Sequence, residues 1–266
     1  MKKPKVIILR TGGTNCDEET ALAFSVCGAS VDLVHINELV RQDKFLKDYH
    51  ILAFPGGFTY GDDIASGKIL ANEMKHRLGE ELREFIDDGK LILGICNGFQ
   101  VLVKAGILPG INGCNIEATL SFNDSGKFED RWIYLKTKTN GRMSANRCVW
   151  TRDIKDIIYL PVAHGEGKFI PKDNKILNAL KKNGQIVFQY VDEKNRLAGY
   201  PYNPNGSFYN IAGICDTTGR ILGMMPHPER HILGTHHPRW TREGLKKFGD
   251  GIKIFKNGVS YAKKHL

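Results

Sequence analysis

Over the first hundred residues, short unbroken apolar runs alternate with stretches in which apolar positions recur every three or four residues. The run KVIIL at 5–9 predicts a buried strand, and Gly12, Gly13, Thr14 and Asn15 predict a turn after it. A helix is expected next, with Asp17, Glu18 and Glu19 at its positive end, Leu22, Phe24 and Val26 within it, and Gly28 as its stop. Residues 31–36 predict a second strand and residues 51–54 a third, the latter ending at Pro55-Gly56-Gly57. Leu70, Met74, Leu78, Leu82 and Phe85 draw one helical stripe that closes at Gly89, and residues 91–95 form a fourth apolar run. Apolar strands alternating with amphipathic helices imply parallel pairing, with both faces of the sheet covered. After Gly113 the pattern becomes strand-like, at 132–135, 186–191 and 211–215, with Gly, Asn and Pro turns between, so antiparallel strands are expected to extend the parallel sheet. Near the C-terminus Leu245, Phe248, Ile252, Phe255, Val259 and Ala262 fall on one helical face, with Lys246, Lys247, Lys253, Lys256, Lys263 and Lys264 off it.

Composition narrows the class. In 266 residues, 41% hydrophobic and 25% charged content excludes a disordered, collagen-like or coiled-coil chain and predicts a single domain over 1–266, the basic loop and helix at 230–266 included. The net charge of +9 suggests a polyanionic partner until it is located: nine of the Lys and Arg residues lie at 230–266 against only Glu243 and Asp250. Any claim about nucleic acid therefore rests on that segment. The apolar run at 6–9 is far too short for a signal-peptide core, and no stretch reaches the length of a membrane span, so a cytoplasmic protein without membrane attachment is expected. Cys16, Cys27, Cys96, Cys114, Cys148 and Cys215 are widely spaced with no CxxC pair, which predicts thiols rather than a disulfide framework.

One cysteine has distinctive surroundings. Gly94-Ile95-Cys96-Asn97-Gly98-Phe99-Gln100 follows an apolar strand and precedes a helical stretch. Glycines two before and two after a reactive residue relieve crowding in a sharp strand-to-helix turn, a nucleophile elbow, and leave the side chain at the carboxyl edge of the sheet. A helix N-terminus there favours the thiolate. The five-residue pattern alone is equally a packing device around a buried cysteine. In Met225-Pro226-His227-Pro228-Glu229-Arg230 the prolines forbid an ordinary helix, and on extended chain His227 and Glu229 project to the same side. A cysteine–histidine pair needs a third group to orient the imidazole, and a carboxylate serves. Phe54-Pro55-Gly56-Gly57-Phe58 ends another strand, so a glycine N–H there can join that of Asn97 in stabilising an oxyanion, or can simply form a tight turn.

Together with PGGFTYGDD at 55–63, AHGEGKF at 163–169 and NPNGS at 203–207, the GICNGFQ and MPHPER segments make the chain resemble glutaminase subunits of phosphoribosylformylglycinamidine synthase, the PurQ type of class I (triad) glutamine amidotransferases. The similarity runs from RTGGTNCDE through MPHPER. It implies an α/β, flavodoxin-like class I glutamine amidotransferase fold: a mostly parallel central sheet flanked by helices, with added antiparallel strands. It implies hydrolysis of L-glutamine, with Cys96 as nucleophile, His227 as general acid/base, Glu229 as its orienting partner, and the backbones of Gly57 and Asn97 as oxyanion hole. Gly56, Gln100, His164 and Glu166 are carried over as substrate-binding positions. No cofactor or metal is implied in this subunit. ATP and Mg²⁺ belong to a partner synthetase subunit, which with a small accessory subunit uses the ammonia to make formylglycinamidine ribonucleotide from formylglycinamide ribonucleotide.

Four other readings compete, the first an amidotransferase subunit of another pathway. A cysteine peptidase or thiol-redox protein also uses an elbow cysteine, but does not account for the HPE pair. His227, His231, His236 and His237 cluster in sequence, without the cysteine spacing of a zinc site. A nucleic-acid binder would use the basic tail, yet an apolar stripe of that kind is more often core, and no aromatic-studded basic sheet accompanies it.

Overall fold

The computed structural model describes residues 3–113, 115–137, 148–154 and 157–266, so Cys114 lies outside the described residues. The first half supplies β1 (Lys5–Arg10), α1 (Asp17–Val26), β2 (Ser30–His35), α2 (Ile36–Val40), β3 (Ile51–Phe54), α3 (Lys68–Arg77), α4 (Gly79–Asp87), β4 (Leu91–Ile95) and α5 (Asn97–Lys104). The second half adds β5 (Ala118–Ser121), β6 (Glu129–Thr137), β7 (Ile157–His164), β8 (Lys168–Pro171), α6 (Asn174–Lys182), β9 (Ile186–Val191), β10 (Ile211–Cys215), β11 (Ile221–Met224), α7 (Trp240–Glu243) and α8 (Ile252–His265).

Nine of the strands form one sheet in the order β2-β1-β3-β4-β11-β10-β9-β6-β7, and β5 pairs with β8 alone. From β2 to β11 every neighbour is parallel; from β11 to β7 every neighbour is antiparallel. The change of direction follows from connectivity: the early strands are joined by helical crossovers, whereas β10 and β11 are joined by the tight turn around Asp216 to Gly219. β3, β4, β9, β10 and β11 are buried along their whole length, as expected of runs covered on both faces.

Two sequence-based expectations are corrected. The stripe from Leu70 to Phe85 is two helices, because the backbone leaves helical geometry at Leu78 (φ −126°); each half still buries its apolar face, Leu70 and Met74 in one, Leu82 and Phe85 in the other. The C-terminal stripe is helical only from Ile252. Leu245 and Phe248 are exposed in an extended segment that bridges to Leu233. From there on the stripe packs as a core face: Phe255, Val259 and Ala262 are buried, and Phe255 meets Phe24 of α1 edge-to-face at 5.0 Å between ring centroids. Lys256, Lys263 and Lys264 stay in solvent on the outer side. No helix among the described residues is long and apolar enough to cross a membrane.

Candidate active site

β4 ends at Ile95 and α5 begins at Asn97, which leaves one residue to make the turn. That residue, Cys96, adopts φ 51° and ψ −105°, a conformation that costs a non-glycine residue on the order of 1–3 kcal/mol and persists only when its surroundings impose it. The surroundings are specific. The Cys96 N–H donates to the Met224 carbonyl at 2.8 Å, continuing the β4–β11 ladder. A Cβ on Gly94 would stand 2.8 Å from the Gly98 carbonyl oxygen, and one on Gly98 would stand 2.0 Å from that of Phe54. Both glycines thus permit close packing, as the alternative reading held, and that packing forces the strained turn at Cys96. The side chain is 5% exposed at the carboxyl edge of the sheet, at the head of a helix whose first N–H groups, Asn97's included, have no intrahelical partner.

The glycine turn after β3 reaches this helix. Thr59 donates its hydroxyl to Asn97 Oδ1 at 2.7 Å, and Asn97 Nδ2 donates to Asp62 at 3.0 Å. Gly57 has φ 141°, where only glycine is comfortable, and bridges Thr14. Phe58 N–H to the Gly13 carbonyl and Asn15 N–H to the Gly56 carbonyl close that bridge, so the N–H of Gly57 is left outside it. The Gly56 carbonyl is occupied by Asn15 and Cys16, and its Cα lies against the His227 ring, so Gly56 lines the imidazole.

His227 leaves β11 in a non-helical conformation (φ −101°, ψ 89°), and Pro228–His231 then form a 3₁₀ turn. The pair therefore meets through a tight turn, which corrects the extended register expected from the prolines: Glu229 folds back so that Nδ1–H donates to Oε1 at 2.5 Å. Both side chains are buried, and Nε2 takes no hydrogen bond of normal geometry. Burial opposes the imidazolium, yet Glu229 first and then Cys96 and Cys16 hold the His227 pKa well above the usual histidine range.

The far edge of the sheet returns over this site. In an antiparallel strand the N–H and C=O of alternate residues point outward, and in β7 these are Tyr159, Pro161 and Ala163. The Tyr159 carbonyl accepts from His231 Nδ1 at 2.7 Å, that of Pro161 from the His227 N–H at 2.9 Å, and that of Ala163 weakly from Cys96 Sγ at 3.7 Å. Asp250 caps the Tyr159 N–H at 3.0 Å, and Pro161 has none to cap. The outer edge of β7 thus holds the His227 backbone and touches Cys96, and His231 packs by its ring on Trp132.

The remaining predicted positions make contacts with one another's loops. Gln100 is buried, with Oε1 accepting from Asn97 and Nε2 donating to the Glu166 carbonyl at 2.5 Å, so it ties α5 to the loop after β7. The Glu166 carboxylate accepts from the Ser66 N–H and pairs with Lys104 at 3.6 Å. His164 has both ring nitrogens engaged, Nδ1–H donating to Asn123 at 3.1 Å and Nε2 accepting from Asn205 at 3.5 Å. Both polar atoms of that imidazole are thus engaged by side chains of the chain itself. Burial, and then the charge of His227, push its pKa down to about 3. Asn205 in turn binds Ser207 and Tyr190, so the HGEG and NPNGS runs form one buried network.

Sequence reasoning left Asp62, Asn123, Asn205, Arg230 and Cys16 without roles. All but Asn123 belong to runs already singled out; Asn123 had no local signal. Cys16 Sγ, His227 and Glu229 are the one group among the described residues whose metal-ligating atoms converge, within 4.8 Å of one another. An Arg230 guanidinium hydrogen-bonded to Sγ opposes a cation there, and His231, His236 and His237 do not join it.

Comparison with known proteins shows the family. The CobB/CobQ-like glutamine amidotransferase domain matches residues 3–262. A phosphoribosylformylglycinamidine synthase subunit PurQ of Dehalococcoides mccartyi is 49% identical over 99% of both chains, and one of Archaeoglobus fulgidus is 45% identical over 98% of this chain and 97% of that one. The solved PurLQS structure of Thermotoga maritima contains a chain that superposes with a TM-score of 0.73 at 29% identity, covering 98% of this chain and 99% of that one. A solved glutamine amidotransferase of Thermotoga maritima, at 16% identity and a TM-score of 0.56 over 100% of both chains, shares the fold. The chain belongs to the glutamine amidotransferases, in the family of phosphoribosylformylglycinamidine synthase subunit PurQ.

Proposed function

We propose that the chain is the glutaminase subunit of a phosphoribosylformylglycinamidine synthase and hydrolyses L-glutamine through Cys96, His227 and Glu229. The observation that carries the reading is Cys96 held at positive φ on the N-terminus of α5, coupled to a buried His227–Glu229 pair. Cys96 sulfur attacks the side-chain amide carbon, and the N–H groups of Gly57 and Asn97 take the negative charge that moves onto the amide oxygen. The carbon–nitrogen bond breaks as the His227 imidazolium protonates the departing ammonia. Neutral His227 then takes a proton from water, whose oxygen attacks the γ-glutamyl thioester; the sulfur leaves, and glutamate is released. His164, Gln100 and Glu166 act by fixing the loop that faces the elbow.

The relatives named PurQ, and the solved PurLQS structure of Thermotoga maritima, support a working complex in which this chain joins a synthetase and a small accessory protein. In that complex ATP and Mg²⁺ serve the synthetase, and the ammonia is consumed there; a cytoplasmic setting goes with this reading. Cys96→Ala in the assembled complex is expected to abolish glutamine-dependent synthesis while added ammonium still supports it. Glutaminase activity in that variant would sink the assignment.

A further inference from the structure

A second thiol lies at the triad, on the Nδ1 side of the His227 imidazole. Cys16 is fully buried in the turn before α1, and its Sγ stands 3.9 Å from His227 Nδ1. Its polar contacts are complete: the S–H donates to Asn15 Oδ1 at 3.1 Å, and the sulfur accepts from Arg230 Nη2 at 3.1 Å. A thiol has one proton, and Asn15 takes it, so the lone pairs are directed to the guanidinium and to the Nδ1 side of the ring. Gly56 closes the remaining space, since a Cβ there would lie 2.7 Å from His227 Cε1 and 3.2 Å from Cys16 Sγ. The ring is thus enclosed by Glu229, Cys16 and the Gly56 backbone, with Nε2 left for chemistry.

We propose that Cys16 is a positioning residue for His227: its sulfur, anchored by Arg230, walls the Nδ1–Glu229 hydrogen bond off from water and blocks rotation of the imidazole while the ring exchanges protons at Nε2. The inference rests on the glutaminase reading. One hydrogen bond to Glu229 fixes a point on the ring but not the ring against reorientation, and a proton carrier that must serve a leaving ammonia and then a water loses rate with small misplacement. The groups facing His227 are Glu229 and Arg230 from its own turn, Cys96 at the elbow, Cys16 before α1, and His164 at the end of β7. Among them Cys16 adds to the forces that keep the imidazolium protonated, so its loss moves that equilibrium downward in pH.

The test uses the assembled complex with Cys16→Ala, Cys16→Ser and Cys96→Ala. Cys16→Ala is expected to lower kcat for glutamine hydrolysis between about 10- and 100-fold with KM little changed. The alkaline limb of its pH–rate profile should move to lower pH, and ammonium-dependent synthesis should be unchanged. Cys16→Ser, whose hydroxyl keeps both hydrogen bonds, should recover most of the rate. A folded Cys16→Ala enzyme with wild-type kcat and an unmoved limb overturns the proposal, as does a rate loss that the serine variant does not relieve. If the alanine variant does not fold, Cys16→Val supplies the bulk without the polar contacts and is read against the same two outcomes. Cys96→Ala separates the levels: if it is inactive while Cys16→Ala is normal, only the role of Cys16 falls; if it is active, the glutaminase reading falls.

Discussion

The helix behind the reactive cysteine rests on β3 so closely that a Cβ at Gly98 would lie 2.0 Å from the Phe54 carbonyl oxygen. This contact sets the height of α5 over the sheet, and with it the turn at Cys96. Phe54 is backbone in the middle of the sheet, paired to β4 through Gly94, and has no freedom to yield. Gly98→Ala must therefore lift the helix. The expected cost is at least about 2 kcal/mol, the range of overpacked cores, together with loss of glutaminase activity as the sulfur leaves its site. Urea unfolding followed by circular dichroism measures the first; an unchanged midpoint would mean that α5 slides freely and that the elbow is not imposed by this contact.

Glu229 is the main group that keeps His227 charged against its own burial, so Glu229→Gln tests the pair directly. The amide can accept from Nδ1–H but carries no charge, and turned the other way it donates and favours the wrong tautomer. A loss of about 10²–10⁴-fold in kcat is expected, the size of a general acid/base contribution. The pH dependence follows from the raised folded pKa. Protonation of His227 contributes stability that is complete below the unfolded value near 6.5 and is lost as pH rises through the higher folded one. The wild-type rate should accordingly persist on the alkaline side well past the ordinary histidine range, and Glu229→Gln should bring that limb down. Profiles of kcat for the two enzymes decide it.

How much of this was legible beforehand depends on whether the cause is local. Strands at 51–54, 91–95, 186–191 and 211–215 coincide with their apolar runs, because burial on both faces writes an unbroken pattern into the chain. The elbow and the HPE pair were visible for the same reason: each needs glycines or prolines at fixed offsets. The break at Leu78 was not, since Leu78 keeps the stripe in phase while its backbone leaves the helix. Nor was the exposure of Leu245 and Phe248, decided by a bridge to Leu233 rather than by their own spacing. The partners of His164 and of Cys16 come from residues 41 and 214 positions away, distances at which periodicity carries nothing. What a single sequence offered there was the family-like runs themselves, HGEG, NPNGS and GTNCD, whose network or turn became apparent only in the fold.

His164 makes a separate acid-side prediction. It is buried as the neutral ring between Asn123 and Asn205, and its pKa lies near 3 because burial, and then the positive charge of His227, oppose a second imidazolium. In the unfolded chain the same side chain takes up its proton near pH 6.5. As pH falls from 6.5 the unfolded state therefore binds a proton that the folded state refuses, and stability declines until the folded pKa is reached. His227 offsets part of this near pH 6.5, where its unfolded form is half-protonated, and ceases to do so as pH falls toward 5, where it is protonated in both states. Read between pH 6.5 and 5, above most carboxylate titration, the share of His164 in the fall of the unfolding free energy is up to about 2 kcal/mol, one proton's worth over that interval, with His50 and His231 adding in the same direction. His164→Gln keeps donor and acceptor without the titration; it is expected to lower stability at pH 7 and to flatten the slope between pH 6.5 and 5. A slope as steep in the variant as in the wild type would place the proton uptake elsewhere and remove His164 from the acid sensitivity of the network.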